Sequence, residues 1–176
     1  MSVRTILRLG DEQLHGRCEP VMQNDVPLLQ QEVKDLHETM QAFQRGYGWG
    51  RAISAPQIGC KRRIVAMHVD RPFTFYNPVL DQLDQELVTY WEDCMSFPDL
   101  MVRVQMPKSC RMTWRDEQWQ EQQAILTGDY AALLQHEVDH LDGVLATMRA
   151  VDDHALALRD THPPKDLAWN GEFHIT

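Results

Sequence analysis

The sequence has 176 residues, 43% of them apolar and 24% charged, a composition typical of one globular domain that excludes collagen-like and wholly disordered chains. Seventeen basic side chains against 26 acidic ones give a net charge of −9, which opposes strong binding to nucleic acid or to anionic lipid. No apolar run approaches the ~20 residues of a membrane helix, and the first residues lack the apolar core of a signal peptide. We therefore expect a cytoplasmic protein that acts on a small or weakly charged substrate.

The first predicted element is a helix from Pro27 to Gly46, where apolar residues recur at spacings of four and three and so share one face. Asp25 stands just before this helix, and Gly46 is expected to end it, followed by Gly48 and Gly50. Strand-like runs come next, and we predict strands over residues 63–69, 73–80, 87–91, 101–106, 111–114 and 119–125. One helix followed by several antiparallel strands predicts the α+β class.

A second helix is predicted from Gly128 to Gly143, with Thr127 or Asp129 near its start. After this helix the periodic pattern weakens, and residues 162–176 are expected to form a packed or frayed tail. We therefore predict a single domain over residues 1–176, with its core over about 3–150 and a C-terminal tail over 151–176.

The sharpest sequence feature lies on this second helix, where residues 136–140 read HEVDH, an HExxH motif. A step of four residues places the imidazoles of His136 and His140 on one face of the helix, with Glu137 beside them. This geometry can chelate a divalent metal ion and hold a base near a water bound to that ion.

Two histidines leave such an ion short of protein ligands, because a catalytic site commonly has three and keeps one position open for water. The third ligand can lie downstream, as in the usual metalloprotease pattern, or upstream at Cys94, whose thiolate would complete a Cys-His-His site. The downstream candidates are Asp152, Asp153 and His154. The other cysteines show no CxxC spacing and are expected to be reduced thiols: Cys18, Cys60 and Cys110.

Three segments, in the right order, are similar to the motifs of the peptide deformylase family, and the resemblance covers roughly residues 3–150. The family motif GxGxAAxQ is matched at Gly50, Ala55 and Gln57, within GRAISAPQ. The motif EGCxS is matched at three positions, and QHExDHLxG is matched in full by QHEVDHLDG over residues 135–143. The three EGCxS matches are Glu92, Cys94 and Ser96.

The resemblance implies antiparallel strands packed around the HExxH helix, with an N-terminal helix, and a hydrolase that removes the formyl group from N-formylmethionyl peptides as formate. It implies one divalent ion, natively Fe²⁺ with Zn²⁺, Ni²⁺ or Co²⁺ able to substitute, on Cys94, His136 and His140. Glu137 would accept a proton from the metal-held water. Donors to the oxyanion would be the Gln57 amide and the backbone N–H of Met95.

The sequence departs from the family pattern at positions expected near the substrate: Arg51 lies between the first small residues, Ala52 replaces the second glycine, Ile53-Ser54 replaces a hydrophobic-Ala pair, and Asp93 replaces the glycine before the ligand cysteine. We expect Arg51 to pair with Asp129 or Asp93, to bind a substrate carboxylate, or to be solvated. The predicted substrate-binding residues are Gly50, Arg51, Ala52, Glu92, Asp93 and Asp129.

Several functions remain open from the sequence. The leading one is the deformylase reaction on a small formylated peptide or formyl amino acid. The alternatives are a deformylase-like amidohydrolase acting on another small N-formyl substrate, a zincin-type metalloprotease carried by HExxH alone, and a non-catalytic binding module. Residues 151–176 carry more acidic than basic side chains, which disfavours ribosome docking through strong binding to ribosomal RNA.

Overall fold

A computed structural model of the chain describes residues 3–161 and 169–176. The chain forms nine β-strands and two α-helices within these residues, with short 3₁₀ turns between some of them. In chain order they are α1 (Gln30–Tyr47), β1 (Ala52–Ser54), β2 (Ile64–His68), β3 (Pro72–Asp81), β4 (Leu87–Glu92), β5 (Leu100–Pro107), β6 (Ser109–Arg115), β7 (Glu121–Thr127), α2 (Gly128–Leu141), β8 (Leu156–Leu158) and β9 (Phe173–Ile175).

The strands form two sheets. The larger has the order β1-β2-β3-β6-β7-β9, the smaller has the order β4-β5-β8, and the neighbouring strands in both pair antiparallel. The α+β class and the packing of strands around the HExxH helix are thereby confirmed. No helix among the described residues is long and apolar enough to cross a membrane.

Strand β2 shows why the two helices lie on opposite faces of the larger sheet. Successive side chains of a strand point to opposite faces, and all of Ile64–Met67 are buried. Val65 and Met67 pack in the same apolar cluster as Leu134 of α2. Ile64 and Ala66 pack with α1, which contributes Leu36, Met40 and Phe43. The sheet is therefore covered on both faces, and α2 is held centrally with a core on one side.

The predicted boundaries of α1 were wrong by three residues at its start and by one at its end. The 3₁₀ turn Gln23–Leu29 contains Pro27, and the α-helix begins only after it, at Gln30. At the other end, Gly46 lies inside the helix. The chain turns at Gly48, whose φ of 78° is left-handed and whose N–H donates to the Gln44 carbonyl at 2.8 Å.

The last predicted strand was placed too early, because β7 begins at Glu121 rather than at Trp119. Trp119 has a φ of 62° and belongs to a tight turn, in which the Asp116 carboxylate accepts from the Gln118 and Gln120 N–H groups. The predicted tail is packed where it is described: β8 pairs with β5, and β9 pairs with β7. Residues 162–168 of that tail lie outside the described residues.

Candidate active site

Three parts of the chain meet at one buried point. Helix α2 supplies the two histidines and the glutamate of HExxH, and the turn after β4 supplies a cysteine. Strand β1 and the 3₁₀ turn that follows it supply a serine and a glutamine. These side chains are His136, Glu137, His140, Cys94, Ser54 and Gln57, and all of them are buried.

Cys94, His136 and His140 offer one ligand atom each, and these atoms lie within 4.8 Å of one another. The Cys94 Sγ is 3.2 Å from the His140 Nε2. One sulfur and two imidazole nitrogens suit a divalent transition metal, and three protein ligands leave a position for water. Of the ligands considered from sequence, the structure brings Cys94 to the histidines, whereas Asp152 pairs with Arg103 at 2.6 Å.

Glu92 orients one of the two imidazoles. Its Oε2 lies 2.9 Å from the His136 Nδ1, so the opposite ring nitrogen is turned toward Cys94. Burial opposes a charge on His136, but the Glu92 carboxylate and the Cys94 sulfur outweigh it and raise the His136 pKa well above its usual value. Burial, with His136 nearby, lowers the His140 pKa.

Glu137 points into the same space and is 3% exposed. Its Oε2 lies 2.5 Å from the Ser54 Oγ, which is also 2.8 Å from the Glu137 backbone carbonyl. Burial raises the pKa of the Glu137 carboxyl, while the charge on His136 and the Ser54 hydroxyl oppose that rise. Sequence analysis noted Ser54 only as a departure from the family pattern, and its contact with Glu137 was missed.

The Gln57 amide is fixed at both ends. Its Oε1 accepts the Ser54 backbone N–H at 2.9 Å, and its Nε2 donates to the Ser96 Oγ at 3.2 Å and to the Cys94 Sγ at 3.5 Å. The amide hydrogens therefore face the cluster. Next to it, Gly50 has a φ of 106°, which favours glycine, and a Cβ there would lie 2.6 Å from the Met95 Cε, so the Met95 side chain would have to shift.

A cleft of about 180 Å³ opens onto these groups. Every residue that the sequence placed in the site lines this cleft except His140, which lies behind Cys94. The lining residues predicted from sequence are Gly50, Arg51, Ala52, Gln57, Glu92, Asp93, Cys94, Met95, Asp129, His136 and Glu137. The structure adds four aromatic side chains that sequence analysis did not assign, and these are Trp49, Tyr90, Trp91 and Trp169.

A larger groove of about 780 Å³ lies against another face of α2 and contains none of the clustered residues. Its charged lining residues pair among themselves. Asp142 contacts Arg17 and Arg63, and Asp139 contacts Arg149. The buried donor atoms, not the size of the cavity, therefore identify the site.

The predicted pairing of Arg51 with Asp129 or Asp93 was wrong. The Asp93 carboxylate is taken by Arg159 at 2.8 Å, and that of Asp129 accepts the Asn170 backbone N–H at 2.7 Å. Within residues 3–161 and 169–176, Arg51 makes no ion pair, and its guanidinium carbon lies 4.5 Å from the centre of the Trp169 ring. Arg51 is exposed, so its charge stays hydrated on the side away from the ring.

Comparisons with known proteins agree with this geometry. The family model for polypeptide deformylases matches residues 3–155. A peptide deformylase from Leptospira biflexa is 32% identical over 159 residues, covering 82% of this chain and 86% of the relative. The crystal structure of the peptide deformylase from Thermotoga maritima superimposes with a TM-score of 0.78 at 29% identity, covering 85% of this chain and 99% of that one.

A third similar protein is a class I type b peptide deformylase from Acinetobacter baumannii, whose crystal structure holds Met-Ala-Ser. It has a TM-score of 0.76 at 25% identity and covers 84% of this chain and 99% of that one.

Fold and site together define an α+β metallohydrolase with a buried Cys-His-His cluster beside a glutamate. The chain belongs to the polypeptide deformylase family, metal-dependent hydrolases that remove the formyl group from N-formylmethionyl peptides. This membership does not favour the zincin-type metalloprotease, which sequence analysis kept as an alternative.

Proposed function

We propose that Cys94, His136 and His140 hold one divalent ion, natively Fe²⁺, with which this metallohydrolase removes the formyl group from N-formylmethionyl peptides and releases formate. Zn²⁺, Ni²⁺ and Co²⁺ are expected to substitute, because imidazole and thiolate ligands suit several of these metals. The reaction takes place in the cytoplasm. The observation that carries the proposal is the convergence of three donor atoms within 4.8 Å of one another, beside the buried Glu137.

The bound ion would supply a Lewis acid and lower the pKa of water from about 15.7 toward about 7. The protein's own groups do the rest. Glu137 accepts a proton from the attacking water and returns it to the departing amine nitrogen. The Gln57 Nε2 and the Met95 backbone N–H donate to the formyl oxygen as it gains negative charge. Ser54 keeps the Glu137 carboxylate in one orientation.

The formyl group is recognised by size as well as by charge. The cleft that Gly50 and Met95 help to line has a volume of only about 180 Å³, so the space beside the cluster is limited. A formyl carbon carries only hydrogen on its far side, so it needs less space than an acetyl carbon. We therefore expect N-acetylated peptides to be excluded.

Formate release tests this function directly. Protein purified without oxygen and loaded with Fe²⁺ should release formate from formyl-Met-Ala-Ser, but should release no acetate from acetyl-Met-Ala-Ser. Anaerobic handling matters because Fe²⁺ and a thiolate ligand both oxidise in air. Cleavage of the Met-Ala bond, or a failure to release formate with any of the four metals, would contradict the proposed function.

Replacing Gln57 by alanine should lower kcat for formyl-Met-Ala-Ser about 10²- to 10³-fold, since one oxyanion donor contributes roughly 3 kcal/mol to transition-state stabilisation. Metal content should stay unchanged, because Gln57 only contacts the ligand cysteine. Steady-state kinetics with metal analysis by mass spectrometry measures both. Gln122→Ala, whose amide contacts Asp116 away from the cleft, is the control and should keep wild-type kcat. Loss of the ion from Gln57→Ala would refute the assigned role.

Replacing Ser54 by alanine should lower kcat about 10- to 100-fold, because a hydrogen bond to a charged group contributes roughly 1.5–3 kcal/mol. KM and metal content should stay near wild type, since the Ser54 side chain contacts none of the three proposed metal ligands and does not itself line the cleft. The control is Thr39→Val, which removes an equally buried hydroxyl that accepts the Arg4 N–H outside the site. An increase in KM with kcat unchanged would contradict this positioning role.

A further inference from the structure

The C-terminal segment 169–173 reaches the cleft although it lies outside every motif described above. The family model ends at residue 155, so this segment is not part of what the chain shares with that model. It nevertheless contributes Trp169 to the cleft lining. The inference below rests on the proposed deformylase function and concerns the selection of its substrate.

Four hydrogen bonds, two between backbone groups and two from a backbone N–H to a side chain, hold the segment against the start of α2. The Asp129 N–H donates to the Asn170 carbonyl at 2.6 Å, and the Asn170 N–H donates to the Asp129 carboxylate. The Thr127 N–H donates to the Glu172 carbonyl at 3.0 Å, and the Glu172 N–H donates to the Thr127 hydroxyl at 2.9 Å. The segment is therefore anchored to the helix that carries His136 and Glu137.

A close backbone approach makes this docking specific. A Cβ on Gly128 would lie 2.6 Å from the Asn170 carbonyl oxygen, so only glycine at 128 lets the segment come this near. Beyond it, β9 pairs with β7 in the larger sheet. The position of Trp169 is thus set by contacts on its C-terminal side.

The Trp169 ring is held on two sides. Tyr130 meets it edge-on, with ring centres 5.2 Å apart, and the Arg51 guanidinium carbon lies 4.5 Å from its centre. Arg51 and Tyr130 belong to different elements, and each restricts a different motion of the indole. The ring is a fixed wall of the cleft.

Distances along α2 show which part of a substrate would meet this wall. Asp129, Ala132 and Leu133 line the cleft together with His136. They precede His136 on the same helix by seven, four and three residues. Seven residues of helix span about 10 Å. A formyl group reacting beside His136 and Glu137 would place the side chain of the substrate's first residue along this face, with Trp169 at its far end.

We propose that Trp169, braced by Arg51, closes the end of the pocket for the side chain of the substrate's first residue and limits its size. An unbranched apolar side chain such as that of methionine lies along the indole face, where a thioether also makes favourable contacts with an aromatic ring. A phenylalanine side chain must displace the ring or leave the pocket incompletely filled. Trp169 therefore sets the preference for methionine over an aromatic residue at the first position of the substrate.

Trp169→Ala tests this role with two substrates, formyl-Met-Ala-Ser and formyl-Phe-Ala-Ser. The ratio of kcat/KM for the phenylalanine peptide to that for the methionine peptide should rise at least about tenfold, the scale on which pocket contacts discriminate substrates. The rise should come chiefly from a lower KM for the phenylalanine peptide. For Trp169→Phe, the same ratio of kcat/KM values should lie between those of wild type and Trp169→Ala. Trp119→Ala, which removes a tryptophan that does not line the cleft, should leave the ratio unchanged.

A binding measurement separates this inference from the proposed function. Calorimetric titration of the metal-loaded protein with Met-Ala-Ser and Phe-Ala-Ser should show wild type favouring the first peptide and Trp169→Ala losing that preference. A variant that folds and releases formate but keeps the wild-type ratio in both measurements would overturn the role of Trp169 alone. Wild-type protein that binds the tripeptides without releasing formate from the formyl substrates would instead overturn the proposed function. Thermal unfolding shows whether Trp169→Ala is folded. If it is not, the same two measurements on Trp169→Phe test the role of Trp169.

Discussion

Replacing Cys94 by alanine should remove the metal ion and abolish formate release together. The sulfur lies 3.2 Å from the His140 Nε2 and is one of only three clustered donors found among the described residues. Without it, two imidazoles remain, which is fewer than the three protein ligands that catalytic sites of this kind commonly use. Metal analysis after dialysis should show substoichiometric binding, and activity should fall to the detection limit even when metal is added back at low concentration.

Cys110→Ala is the matched control. Cys110 is buried to the same degree as Cys94, but it lies in the sheet core, and burial raises the pKa of its thiol to about 12. A thiol that stays neutral is a poor metal ligand. This variant should therefore keep full metal content and activity. If Cys94→Ala retained one ion per chain and released formate, another residue would have to be the third metal ligand. That result would favour a zincin-type site, in which HExxH binds the ion without Cys94.

Part of the buried cluster could be predicted because its signals are local. A four-residue step on a helix places two side chains on one face whatever the surrounding fold, so His136, Glu137 and His140 could be grouped from spacing alone. The prediction of Cys94 needed more, namely the order of the three motifs along the chain. Helix α2 itself is marked by apolar periodicity and by a glycine after its end.

The contacts between distant segments could not be predicted from those signals. Asp93 and Arg159 are 66 residues apart, and nothing in either neighbourhood selects the other as partner. Arg159 forms an ion pair with Asp93, and the Asn170 N–H donates to the Asp129 carboxylate. Arg51 pairs with neither acid and stacks on Trp169 instead. The prediction for Arg51 was wrong because it considered only nearby charges, whereas contacts with residues far along the chain occupy both acids.

Glu92 shows how one residue can serve a purpose other than the one its position suggests. Sequence analysis placed it among substrate-binding residues, and it does line the cleft. Its carboxylate, however, contacts the His136 Nδ1 at 2.9 Å, so its main contact supports a proposed metal ligand. The boundaries of α1 and β7 were missed because a left-handed glycine ends α1 and an aspartate-centred turn delays the start of β7.

Replacing Glu137 by glutamine should lower kcat about 10²- to 10⁴-fold, the usual contribution of a positioned general base. Glutamine has the same shape, and its amide oxygen can still accept from the Ser54 hydroxyl that now lies 2.5 Å from the carboxylate. It cannot accept a proton from water at neutral pH. Metal content should therefore stay at the wild-type level, and so should the affinity for Met-Ala-Ser. Single-turnover formate release, metal analysis and calorimetry measure the three quantities separately.

The same change on the surface provides the control for this last variant. Glu121 lies on β7 and pairs with Arg115 in an exposed ion pair, which contributes at most about 1 kcal/mol to stability. Glu121→Gln should match wild type in kcat, in metal content and in peptide affinity. Loss of the ion from Glu137→Gln would make Glu137 a metal ligand rather than a base. Wild-type turnover by a metal-replete Glu137→Gln would instead require the proton to be accepted by another group in the cleft.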